Sequence, residues 1–136
     1  MFLTEWSWIY FSPQEVLSPD GLRLWDYRGE LKMNPGFLDR CDAFREWLGY
    51  PLLANHQGLM YRGYRSPEEN IGIGGAIQSP HVQGIAIDFS SREMGVEELA
   101  SAAIDFGFTG VGLYASWVHV DDRAVIGNEP VVWDKR

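Results

Sequence analysis

Three histidines and one cysteine set the limits on metal chemistry in this chain of 136 residues. Cys41 has no second thiol to pair with, so neither an internal disulfide nor a cysteine-based zinc site can form. A metal would have to rest on imidazoles and carboxylates. His81 and Asp88 share the segment Ser79-Pro80-His81-Val82-Gln83-Gly84-Ile85-Ala86-Ile87-Asp88, and His119 lies in Trp117-Val118-His119-Val120-Asp121. The seven-residue separation of His81 and Asp88 is odd, so one straight strand would point them to opposite faces. They can meet if the strand begins at Gly84 and His81 folds back over the same face from the preceding loop. Gly84 and Ala86 would then share that face with Asp88 and leave room for an ion and a ligand backbone. Ile85, Ile87 and Phe89 would enter the core.

In the second segment Trp117, His119 and Asp121 share one face and Val118 and Val120 the other. If the two segments are neighbouring strands, His119 completes a His-Asp-His set. Two imidazoles and a carboxylate leave a fourth zinc position open for water, the arrangement of catalytic rather than structural sites. An ion there would lower the pKa of water and polarise a carbonyl. Each piece alone admits a plainer reading. A histidine beside a strand can be a hydrogen-bonded structural residue, and an Asp at a strand end can be a cap. The joint pattern, repeated in two segments against an apolar opposite face, favours the metal.

Other elements must hold these strands in place. Asn34-Pro35 reads as a helix start, with Asn34 capping and Pro35 in the first position. Phe37, Leu38, Cys41, Phe44, Trp47 and Leu48 follow at helical spacing, and Gly49 closes the helix. Ser66-Pro67 starts a second, short helix that Gly72, Gly74 and Gly75 end. The pattern over 96–106 predicts an amphipathic helix stopped by Gly107, and 111–114 with 117–120 a closing pair of strands. Residues 51–65 read as a hairpin with its tip at Asn55-His56-Gln57-Gly58, which leaves His56 solvated. The first 33 residues, broken at Ser12-Pro13, Ser18-Pro19-Asp20-Gly21 and Arg28-Gly29, read as turns between short pieces. Trp6, Trp8, Trp25, Trp47 and Trp133 read as core or edge packing. The expectation is one α+β domain over 1–136: a small, mostly antiparallel sheet with flanking helices, and 1–33 as an irregular extension packed on it.

Composition removes several partners. Hydrophobic residues make up 46% and charged residues 22%, as in folded globular domains. Net charge is −8 without a Lys/Arg cluster, which argues against nucleic acid and anionic membranes. No apolar run approaches the roughly 18–20 residues of a membrane helix. Met1-Phe2-Leu3-Thr4-Glu5-Trp6-Ser7-Trp8 lacks the basic start and apolar stretch of a signal peptide. Synthesis in the cytoplasm is therefore expected, with delivery by some other agent.

Ser79 to Asp88 also matches, at all five fixed positions, the signature Ser-x-His-x-x-Gly-x-Ala-x-Asp. In this the chain resembles the zinc D,D-carboxypeptidase and D-alanyl-D-alanine dipeptidase family. Tyr64-Arg65-Ser66-Pro67-Glu68-Glu69-Asn70, followed by Gly74-Gly75-Ala76, resembles the segment before the signature in the cell-wall endopeptidase and phage-lysin branch. His119-Val120-Asp121 is similar to that branch's second-ligand motif. The resemblance, over roughly residues 34–123, implies a D,D-peptidase-like, hedgehog-like fold with zinc on the sheet face. It implies that His81, Asp88 and His119 bind zinc, that Arg65 stabilises a developing oxyanion or anchors the substrate carbonyl, and that Tyr64 and Ser79 contact substrate. The plain alternative for Arg65 is an ion pair with Glu68 or Glu69, and for Ser79 a loop hydrogen bond. The implied activity is hydrolysis of a peptide bond in the peptidoglycan stem peptide or cross-link, by a host or phage enzyme.

One position departs from the family. Several members carry a carboxylate three residues before the second His as general base, and this chain has Ser116. Asp121 is the nearest carboxylate to His119, as a candidate base or as an orienting partner; ending a strand is its plain reading. The same departure supports an alternative function, a zinc-containing peptidoglycan- or protein-binding module that does not cut.

Overall fold

Among the described residues, four Ser-Pro or Asn-Pro pairs open four helices. The structure is a computed structural model, and it describes residues 5–54 and 61–136. The helices are α1 (Pro13–Val16), α2 (Pro19–Arg28), α3 (Pro35–Leu48) and α4 (Pro67–Gly72), each with proline in the first turn, where no amide hydrogen is missed. Ser18, Asn34 and Ser66 accept from the backbone N–H of Gly21, Phe37 and Glu69. The fifth helix, α5 (Val96–Phe106), ends at Gly107 in the left-handed region, as α3 ends at Gly49. None of the helices is long and apolar enough to cross a membrane, among the described residues.

Four short strands, β1 (Ala86–Phe89), β2 (Gly110–Leu113), β3 (Val118–Asp121) and β4 (Val131–Asp134), form one sheet in the order β1-β3-β2-β4. β3 pairs antiparallel with both β1 and β2, and β4 joins β2 in parallel. A 3-10 turn over Arg123–Ile126 carries the chain from β3 toward β4. Alternation divides the two faces. Ile87, Phe89, Val111, Val118 and Val120 are fully buried against Phe37, Leu38 and Phe44 of α3 and Leu99 and Ala103 of α5. Phe44 is the hub, with Phe89, Phe106 and Phe108 rings 5.2–6.5 Å from its own. Asp88, His119 and Asp121 share the other face. This is the expected α+β arrangement, mostly antiparallel with helices flanking the sheet.

Two expectations need correction, and one strand was not foreseen. The first 33 residues are not irregular throughout, because α2 occupies the stretch read as a turn. Ser18-Pro19 is the same start signal as Ser66-Pro67, and Gly21 sits inside the helix against the Tyr64 ring, which a Cβ would approach to 2.8 Å. This segment also joins the core through Phe11, Val16, Leu31 and Met33. The arms of the expected 51–65 hairpin pair elsewhere: Leu53 bridges Ser90 and Tyr64 bridges Leu17. Residues 55–60, with His56, lie outside the described residues. Strand β4 was not expected at all, since only Trp133 in it is even half-buried and apolar periodicity is lacking.

Candidate metal centre

The turn before β1 brings His81 back to Asp88. The Ser79 hydroxyl accepts from the His81 amide at 3.2 Å, and the Ile85 amide donates to the Pro80 carbonyl at 3.1 Å. Gly84 makes the reversal with φ +73°, and its carbonyl accepts from the Asn34 amide. A Cβ on Gly84 would come within 2.2 Å of the Lys32 carbonyl oxygen, so its small size serves this turn and the close approach of residues 32–34. It does not make room for an ion, as the sequence had suggested. Gly110 and Gly112 on β2, opposite Asp121 and His119 in register, instead make room for the Asp121 carboxylate and the Trp133 indole. A Cβ on Gly110 would lie 2.1 Å from an Asp121 oxygen.

Register supplies the rest. Asp88 and His119 are direct partners across β1 and β3. Asp88 Oδ1 stands 3.1 Å from His119 Nδ1 and 3.2 Å from His81 Nε2. Each imidazole is held at its other nitrogen. His81 Nδ1 lies 2.8 Å from the Gly63 carbonyl, and His119 Nε2 lies 2.6 Å from Asp121 Oδ2. Both acceptors take N–H on those nitrogens, so in the neutral rings His81 Nε2 and His119 Nδ1 carry the lone pairs facing Asp88, and a proton on either ring turns that nitrogen into a donor to Asp88. All three side chains are buried.

This donor set fits a divalent metal. A tetrahedron with metal–ligand bonds of about 2.0–2.1 Å has edges of about 3.3 Å, close to the measured 3.1 and 3.2 Å. The three side chains offer ligand atoms within 4.8 Å of one another, and among the described residues no other such group is found. Electrostatics agree. Burial disfavours the Asp88 charge, but the two imidazoles outweigh it and hold the carboxyl well below the ordinary carboxylate range. Burial also opposes ionisation of Asp121, yet hydrogen bonds from His119 and Arg123 bring its pKa down to about 2. Burial lowers His81, while bonds to Asp121 and Asp88 overcome burial and raise His119.

A cavity of about 700 Å³ opens over the centre. Arg65 reaches into it, its Nε donating to the Tyr61 carbonyl and an Nη to Asn70 Oδ1 at 2.9 and 3.1 Å, with the guanidinium 3.8 Å from Asp88 Oδ2. Glu69 instead caps Ser66, so the surface ion pair is not formed. Arg62 lies 3.7 Å from the same oxygen and packs over Trp117 at 4.2 Å. Sequence reasoning missed it; its signal was a second arginine three residues before Arg65. Tyr114, Arg123, Trp133 and Lys135 also line the cavity and were missed, apart from Trp133, which had been read as packing. Trp6 does pack on Trp8 and on Trp25.

Ser79 lines the cavity and supports the His81 loop at once. Tyr64 does not reach the cavity. Its buried ring packs against Gly21 of α2, while Arg65 faces the centre. Asp121 stands behind His119, fully buried, with Arg123 donating to both its oxygens at 2.7–3.3 Å. It does not line the cavity, so its geometry suits orienting His119 and not taking a proton from water inside. Ser116 is exposed in the turn between β2 and β3. Asp88 is the one carboxylate lining the cavity, among the described residues.

The family model described as Peptidase M15 matches residues 26–121, which include His81, Asp88, His119, Arg65 and Asp121. A search of curated proteins finds no match to the chain.

Proposed function

The chain belongs to the peptidase M15 family, and we propose that it is a zinc metallopeptidase hydrolysing a peptide bond in the stem peptide or cross-link of peptidoglycan. One observation carries the metal: two imidazole lone pairs and a carboxylate oxygen converge, each imidazole locked by an acceptor at its other nitrogen. When bound, zinc supplies a Lewis acid and an activated water. His81, Asp88 and His119 would hold it. Arg65, fixed by Tyr61 and Asn70, is placed to bind the carbonyl oxygen and to stabilise the negative charge that grows there. Ser79 steadies the His81 loop and offers a hydroxyl to the substrate.

The charge of the cavity supports a substrate rich in carboxylates. Arg62, Arg65, Arg123 and Lys135 line it against Asp88 alone among acids of the described residues, in a chain of net charge −8. Such a cavity attracts an anionic peptide, and stem peptides carry free carboxylates. A wall substrate places the action outside the cytoplasm, in a host or phage setting.

A second reading draws on the same inventory. With Ser116 in the turn and no further carboxylate at the cavity among the described residues, a zinc-containing binding module fits as well as the base allows. Incubation of the zinc-loaded protein with purified peptidoglycan, followed by mass analysis of released muropeptides, separates the two. New amino or carboxyl termini support the peptidase; binding without new termini overturns it.

A further inference from the structure

The family match ends at residue 121, but the cavity wall continues beyond it. Strand β4 adds to the sheet in parallel at its edge and buries little: Val132, on the same face as Val111, is 55% exposed. Parallel pairing is the weaker kind, and so short an edge strand gains little from its own burial. What distinguishes it is the side chain it delivers.

Register sets Trp133 opposite Gly112, and Gly112 opposite His119. The indole lies directly on Gly112, where a Cβ would be 2.3 Å from the ring. From there it reaches the His119 ring, with centroids 5.1 Å apart at 47°. Its own position is over-determined. The indole N–H donates to the Tyr114 hydroxyl at 3.1 Å, and the Arg123 guanidinium packs 4.9 Å from its centroid. That same Arg123 holds Asp121. The contacts of His119 with Asp121 and Asp88 both act at the edge of the imidazole and leave the ring free to tilt about the line between them. A plate fixed against the ring removes that freedom.

On the reading that His119 is a zinc ligand, we propose that Trp133 is a positioning residue for the metal centre, holding the His119 ring in the plane that aims Nδ1 at Asp88 and His81. Partners of this kind change metal affinity by about 10–100-fold when lost.

The test is zinc affinity by competition with a chelating indicator, together with the visible absorption of the cobalt(II)-substituted protein. The variants are W133A, W133F, G112A and V132A. W133A is expected to lose about tenfold or more in affinity and to alter the cobalt spectrum. G112A displaces the indole without removing it and is expected to do the same, so it carries the test should W133A not fold. W133F keeps a ring without the N–H and is expected to recover most of the affinity. V132A perturbs the strand on its other face and should leave both readouts unchanged. Wild-type affinity and spectrum in folded G112A or W133A would overturn the inference alone. A wild-type protein that takes up no stoichiometric zinc would overturn the metal reading beneath it.

Discussion

His119 Nε2 and Asp121 Oδ2 lie 2.6 Å apart on one strand, two residues from each other, so the carboxylate that selects the histidine's tautomer is built into the same β3 face. Arg123 then holds Asp121 from behind. Replacing Asp121 with Asn removes the charge from this chain of contacts. Zinc affinity of D121N is expected to fall about 10–100-fold, measured by equilibrium competition with a chelator. Unchanged affinity in the folded variant would count against the orienting role.

Asp121 also makes the metal-free protein acid-sensitive. Its folded pKa, about 2, is below the ordinary value of 3.8. A depressed carboxyl contributes stability that is fully present above its unfolded pKa and is lost as pH falls through the folded one. The contribution is on the order of 2 kcal/mol. Urea midpoints of zinc-free protein should drop between pH 5 and pH 2 more steeply in wild type than in D121N.

His81→Ala is expected to abolish stoichiometric zinc, read by elemental analysis of purified protein, because two ligands cannot hold the ion as three do. A metal-free structural domain would show no zinc in either protein.

Arg65→Ala should lower kcat about 100- to 1000-fold with zinc content intact, the loss associated with one oxyanion donor. R65K should recover little, since a single ammonium cannot reach the Tyr61 carbonyl and Asn70 while also facing the cavity. Steady-state kinetics on a muropeptide substrate, paired with metal analysis, tests both.

Gly84→Ala should cost about 1–3 kcal/mol by urea denaturation. The left-handed φ of +73° and the Lys32 carbonyl both oppose a side chain there. A neutral result would show that the turn relaxes without cost.

Local signals account for what could be read in advance. Asn34-Pro35 with Gly49, and 96–106 with Gly107, mark α3 and α5 because caps and periodicity act within one helix. The alternation in Ile85, Ile87, Phe89 and in Val118, Val120 located β1 and β3 and told which face His119 takes. The same logic failed where a partner from afar decides the outcome. Gly21 looks like a turn until Tyr64 covers it, and Gly84 looks like space for an ion until residues 32–34 press on it.

The sequence by itself determined the donor set, since its single thiol and few histidines leave little else, and the strand faces that carry it. Only the tertiary structure decided that Tyr64 turns away, that Asp121 stands behind His119 rather than in the cavity, and that Trp133 crosses from β4 to wall the centre. The reason is physical. Side-chain type and period are properties of neighbours along the chain, whereas facing, burial and shielding depend on which distant strand lies alongside.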